Sequence, residues 1–219
     1  MKSRSFWQSF FTLFVLGLFG LFSIIPSINT IMEVQLKNVP NAPDLPPLIL
    51  GVLSLINPLI LLIIAIIIGN LLTPKLGLKS YIIQRVTEKK LFWSSIKPNI
   101  SKGIGWGVVL AVIHYLLELT FQPWLPDSLK LTPESRNLVN TLGGVFYGGI
   151  VEEILVRWGL MSLLIWIGWR LFQQGKNQPK IWIIWFSILS TSLLFAIAHL
   201  GATVLLAPLT PIVLIRMIV

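Results

Sequence analysis

The chain has 219 residues, 55% of them apolar and only 11% charged, with a formal net charge of +9. Its apolar residues come in long runs with the bases gathered between them, which argues for a polytopic membrane protein and against nucleic-acid binding. It contains no cysteine, so a disulfide framework, a thiolate nucleophile and a cysteine-based zinc site are excluded and any catalysis falls to Glu, His, Ser, Asp or Asn.

The first run, residues 6–25, follows Lys2 and Arg4. It is too long for a signal-peptide core and lacks a small-residue cleavage site, so it reads as a retained span. Pro26, Pro40, Pro43, Pro46 and Pro47 then mark an irregular loop, and residues 48–72 form a second run long enough to cross with some tilt. Residues 73–102 carry Lys75, Lys79, Arg85, Lys89, Lys90, Lys97 and Lys102 against the single acid Glu88, an excess that predicts a cytoplasmic segment. Within it, apolar residues such as Tyr81, Ile82, Ile83 and Val86 alternate with bases, which suits either a helix on an anionic headgroup surface or an ordinary basic loop. The third run, 104–121, is bracketed by Trp106 and Trp124 as interface anchors, and Gly103, Gly105 and Gly107 predict close approach of a neighbour. A loop with Asp127, Lys130, Glu134 and Arg136 leads to the fourth run, 138–172, about 50 Å long as an α-helix and therefore expected to protrude or break, with Gly159 as the joint. After a basic turn with Arg170, Lys176 and Lys180 come a fifth run, 181–200, and a proline-interrupted stretch, 204–219, that ends inside apolar sequence. One all-α membrane domain over 1–219 with about six spans is expected, cut short at its C-terminus.

Within the fourth run, Glu152, Glu153 and Arg157 interrupt sequence otherwise fit for lipid. Each ionised group at bilayer depth costs roughly 2.5–3.5 kcal/mol on insertion scales, which marks a functional-site candidate. Glu153 and Arg157 are four apart, with the acid first, the favoured order for an ion pair. Glu152 lies about 100° further round and is left free to act on water. The fourth and fifth runs are joined by a short turn, so they should be antiparallel neighbours. Counting back from Trp169 to Glu152 gives about 26 Å and forward from Ile181 to His199 about 27 Å, so acid and imidazole reach similar depth. Gly143, Gly144, Gly148 and Gly149 thin the helix before the acids and predict that another helix comes close there. A carboxylate facing an imidazole suits general acid–base work, and hydrolysis is the natural reaction.

Glu152-Glu153-x-x-x-Arg157 followed by Phe195-x-x-x-His199 resembles the first two motifs of the CPBP family, the CAAX proteases and bacteriocin-processing enzymes also called Abi. The resemblance covers about residues 142–201 within a family-like core of about 103–219, including the glycines before the acids and the residues around His199. It implies an all-helical intramembrane endopeptidase acting on a membrane-associated protein or peptide, in which Glu152 and His199 activate water, Glu153 and Arg157 order the site, and Phe195 supports the motif. The family's third motif, His-x-x-x-Asn or Asp on a later helix, has no match; His114 lies upstream and, with Glu118, reads as a local hydrogen-bonded pair. The family label of metalloprotease would make Glu152 and His199 ligands of a divalent metal such as zinc, while water activated by glutamate without metal fits them equally well. Zincin chemistry is excluded, because no His-Glu-x-x-His is present.

Two other functions compete: a non-catalytic relative, such as a bacteriocin self-immunity factor or scaffold, and a proton-coupled transporter. The transporter reading lacks the matching broken halves it requires. Charge predicts that the site opens to the non-cytoplasmic side, whereas the resemblance implies a cytosolic substrate.

Overall fold

The computed structural model describes residues 3–26, 45–131 and 138–218. The expected loop prolines Pro40 and Pro43, and the loop residues Glu134 and Arg136, lie outside them. The described chain is helical with no strand, as it must be where long apolar runs have to satisfy every backbone group internally. The helices are α1 (Ser3–Phe22), α2 (Pro47–Ser54), α3 (Ile56–Leu76), α4 (Tyr81–Glu88) and α5 (Phe92–Phe121). Next come α6 (Leu138–Phe146), a π-helical segment (Tyr147–Met161) and α7 (Ser162–Gln173) as one continuous rod, followed by α8 (Ile181–Ala198), α9 (Leu200–Leu206) and α10 (Pro211–Ile218). Among the described residues, Arg4–Phe22, Leu48–Leu76, Phe92–Trp124 and Ile181–Leu206 are long and apolar enough to cross a membrane. The chain is therefore an all-α, multi-pass membrane protein. The sixth expected run is not one helix, because residues 207–210 separate α9 from α10, with Pro208 and Pro211 denying backbone donors.

The π segment is the centre of the fold. It packs most extensively on α3, then on α1, and Val151 and Ile154 are buried with Leu13, Leu21, Leu62, Ala65 and Ile66. A second core joins Leu76, Ile165 and Ile183 where α3, α7 and α8 meet. Gly159 is not a joint in the long rod. It is buried against α3, where an added Cβ would lie 2.5 Å from the Ala65 Cβ and 2.8 Å from its Cα. By contrast, an added Cβ at Gly103, Gly105, Gly107, Gly144 or Gly149 meets nothing within 4 Å, so these glycines do not mediate the close helix contacts expected of them. Gly159→Ala is accordingly expected to lower stability by about 1–3 kcal/mol through overpacking, while Gly144→Ala leaves the detergent melting temperature within error. Equal melting of the two variants would contradict this packing.

The ends of the helices sort onto two faces. Ser5 of α1 lines one cavity with Thr73, Pro74 and Lys79, and an added Cβ on Gly77 would meet the Gln178 Oε1 at 2.7 Å. The start of α1, the end of α3 and the turn after α7 thus share one face, which gathers Arg4, Lys75, Lys79, Lys176 and Lys180. At the other face the Ser23 hydroxyl at the end of α1 donates to the Gly143 carbonyl at 3.1 Å. The basic segment after α3 is not a plain loop. Gly77, at φ +70°, caps α3 in the left-handed conformation, and the Ser80 hydroxyl caps α4 by accepting from the Ile83 N–H at 3.4 Å. Ile83 then turns inward against the core with α1.

Candidate functional site

Glu152 lies on the π segment and His199 at the C-terminal end of α8, and they face each other with Glu152 Oε1 3.9 Å from His199 Nε2. The depths deduced for the two side chains therefore agree. Their exposure differs, at 27% for the Glu152 side chain and 48% for His199. His199 Nδ1 lies 2.8 Å from the Phe195 carbonyl, one turn back, and the Phe195 ring sits edge-on to the imidazole at 4.4 Å. A carbonyl oxygen only accepts, so Nδ1 carries the hydrogen, and in the neutral imidazole Nε2 then presents its lone pair towards Glu152. The 3.9 Å gap is too long for a direct hydrogen bond and suits a bridging water. Gly148 contributes room rather than a helix contact: a Cβ there would sit 3.3 Å from the Glu152 Oε2.

Winding over Tyr147–Met161 follows i→i+5 hydrogen bonding, a form often found at functional sites, and the Ser162 hydroxyl continues the spacing by donating to the Arg157 carbonyl at 3.4 Å. The expected pair nevertheless forms, with Arg157 Nε 3.1 Å from Glu153 Oε2. It is not buried: the Arg157 side chain is 70% exposed and that of Glu153 47%. Both line a second cavity with Lys79, Ser80 and Tyr81, so they point to the basic face while Glu152 points to His199. Because exposed pairs contribute about 0–1 kcal/mol, Glu153→Gln should melt within that margin of the unsubstituted chain. A large drop in a detergent melting series would show that the pair is shielded in the membrane.

The other two polar residues of interest pair differently from the local reading. Glu118 on α5, whose side chain is only 7% exposed, accepts from the Arg216 Nε of α10 at 3.1 and 2.9 Å and from the Gln122 Nε2 at 3.0 Å. His114 lies beside this cluster, but the carboxylate is taken by Arg216 and Gln122. Nothing local in the sequence signals a partner 98 positions away.

For a metal, the site brings together two donors, the Glu152 carboxylate and the lone pair of His199 Nε2, while Glu153 is engaged by Arg157. Among the described residues no three of His, Cys, Asp and Glu gather to hold an ion. Among the described residues that donor set is one short of the three protein ligands of a catalytic zinc.

With this geometry in view, residues 134–219 match the family described as Type II CAAX prenyl endopeptidase Rce1-like. The match includes Glu152, Glu153, Arg157, Phe195, His199 and Arg216. No curated protein and no solved structure matches the chain.

Proposed function

Residues 134–219 belong to the CPBP family, and from that membership we propose that the chain is a membrane-embedded endopeptidase that hydrolyses a peptide bond of a membrane-associated substrate. The observation that carries the reading is the Glu152–His199 gap of 3.9 Å with Nδ1 committed to the Phe195 carbonyl. A water in that gap donates one hydrogen to His199 Nε2 and the other to the Glu152 carboxylate. As its oxygen bonds to the scissile carbonyl carbon, Glu152 takes the proton. When the C–N bond breaks, Glu152 returns that proton to the leaving amine, and the carboxylate is restored. Glu153 and Arg157 act by position, holding the segment that aims Glu152.

The test is direct. The full-length protein in proteoliposomes is incubated with lipid-anchored peptides, prenylated and unprenylated, and new N-termini are sought by mass spectrometry. Cleavage of either set supports the proposal, and no cleavage of any overturns it.

The face to which the site opens follows from charge. With the bases of α1, α3 and the turn after α7 on one side, that side is cytoplasmic, and Glu152 and His199 open to the other. Cysteines replacing Gln174 and Gly201 in this cysteine-free chain report it through an impermeant maleimide on intact cells. Labelling at Gly201 with protection at Gln174 is expected, and the reverse pattern would invert the orientation.

A further inference from the structure

On the basic face, away from Glu152 and His199, a cavity of about 440 Å³ is walled by Ser5, Asn70, Thr73, Lys79, Gln84 and Trp158. Its volume lies within the ordinary range of ligand pockets. At its wall sits Asn70, 2% exposed, whose orientation is decided by chemistry. The Trp158 indole N–H donates to the Asn70 Oδ1 at 3.2 Å, and an indole only donates, so the amide cannot be turned round. Gly69 makes this contact possible: a Cβ there would overlap the Trp158 ring. The Asn70 Nδ2 is therefore fixed as a buried donor, and it has no hydrogen-bond partner among the described residues. A native chain seldom leaves such a group without one, because the unmade bond costs about 1–3 kcal/mol.

The rest of the wall adds donors and a positive charge. Among the described residues Lys79 makes no ion pair, and the acid that lines the cavity, Glu88, is paired with Lys90 at 2.6 Å. Leu78, Pro74 and Ile83 supply an apolar side to the same space. Buried amide donor, free ammonium and apolar flank together match an oxyanion attached to an aliphatic body, on the face where juxtamembrane bases attract anionic headgroups.

We propose that this cavity binds a phosphate group, with an anionic phospholipid headgroup and a soluble phosphate as its two possible sources. The site does not depend on the protease reading. The full chain is reconstituted in nanodiscs of phosphatidylcholine alone, of phosphatidylcholine with phosphatidylglycerol, and of phosphatidylcholine with added inorganic phosphate. Thermal melting and lipid occupancy by native mass spectrometry are then recorded. Asn70→Asp keeps the acceptor for Trp158 and replaces the buried donor by a carboxylate oxygen. It should lower phosphatidylglycerol occupancy by about tenfold or more, the worth of a hydrogen bond to a charged group. Lys79→Gln, on an exposed side chain that folding does not need, should lower it as well, whereas Lys97→Gln, on α5 and away from the cavity, should not. A phosphatidylglycerol-specific upshift assigns the site to a headgroup, and an upshift with inorganic phosphate alone assigns it to a soluble phosphate. No upshift in either arm, or equal responses of Lys79→Gln and Lys97→Gln, overturns the proposal and leaves a water-filled cavity.

Discussion

Glu152→Gln is expected to lose about 10²–10⁴-fold in cleavage rate while inserting and melting like the unsubstituted chain. The amide keeps the shape of the carboxylate but cannot take a proton from water, so only the chemical step suffers. Folding should be indifferent, because Glu152 is partly exposed and its neighbour His199 lies at 3.9 Å, beyond hydrogen-bond reach. Gly148, which leaves room for the carboxylate, accommodates the amide equally. Rates measured on lipid-anchored peptides in proteoliposomes check it. Turnover at the unsubstituted rate would remove Glu152 from the chemistry, whatever the other residues do.

What the sequence made legible followed from strong local signals. Uninterrupted apolar runs gave the spanning helices, and matched counts from Trp169 and from Ile181 placed Glu152 and His199 at one depth, which their 3.9 Å separation bears out. The Glu153–Arg157 pair followed from spacing alone, and it survives the change from α to π winding. The π winding itself left no trace in hydrophobic periodicity, because the segment packs on several helices at once and its apolar residues are not confined to one face. Glycine spacing misled for a related reason. Gly144-x-x-x-Gly148 has the form of a helix-contact ridge, yet contact requires a partner in the right place; of the four glycines before the acids only Gly143 meets a neighbouring helix end, at Ser23, and Gly159 packs against Ala65. Glu118 lies four residues from His114, a spacing that favours a local pair, whereas the tertiary fold offers it a guanidinium with a stronger claim.

Arg216→Leu is expected to lower the melting temperature by an amount on the order of 10 °C, because it strips the counter-charge from a carboxylate whose side chain is only 7% exposed. Breaking a buried pair from one side costs about 3–5 kcal/mol, most of it the desolvation of the abandoned ion. Gln122 remains as a single neutral donor at 3.0 Å and cannot replace the guanidinium. The double variant Glu118→Leu with Arg216→Leu removes both charges at once and should recover most of the loss, since apolar replacements of a buried pair are often neutral or stabilising. If the single and double variants melt alike, Glu118 is not an uncompensated charge and the ion pair is not what joins α5 to α10. The cluster bears on the site through the chain that follows His199: α9 starts at Leu200, the Ser128 hydroxyl donates to the Leu206 carbonyl at 2.7 Å, and α10 packs on both α5 and α8. Loosening Arg216 therefore loosens the packing of α10 on α8, the helix that ends at His199. Cleavage should fall in the single variant and return in the double, a recovery that a direct chemical role for Arg216 would not allow.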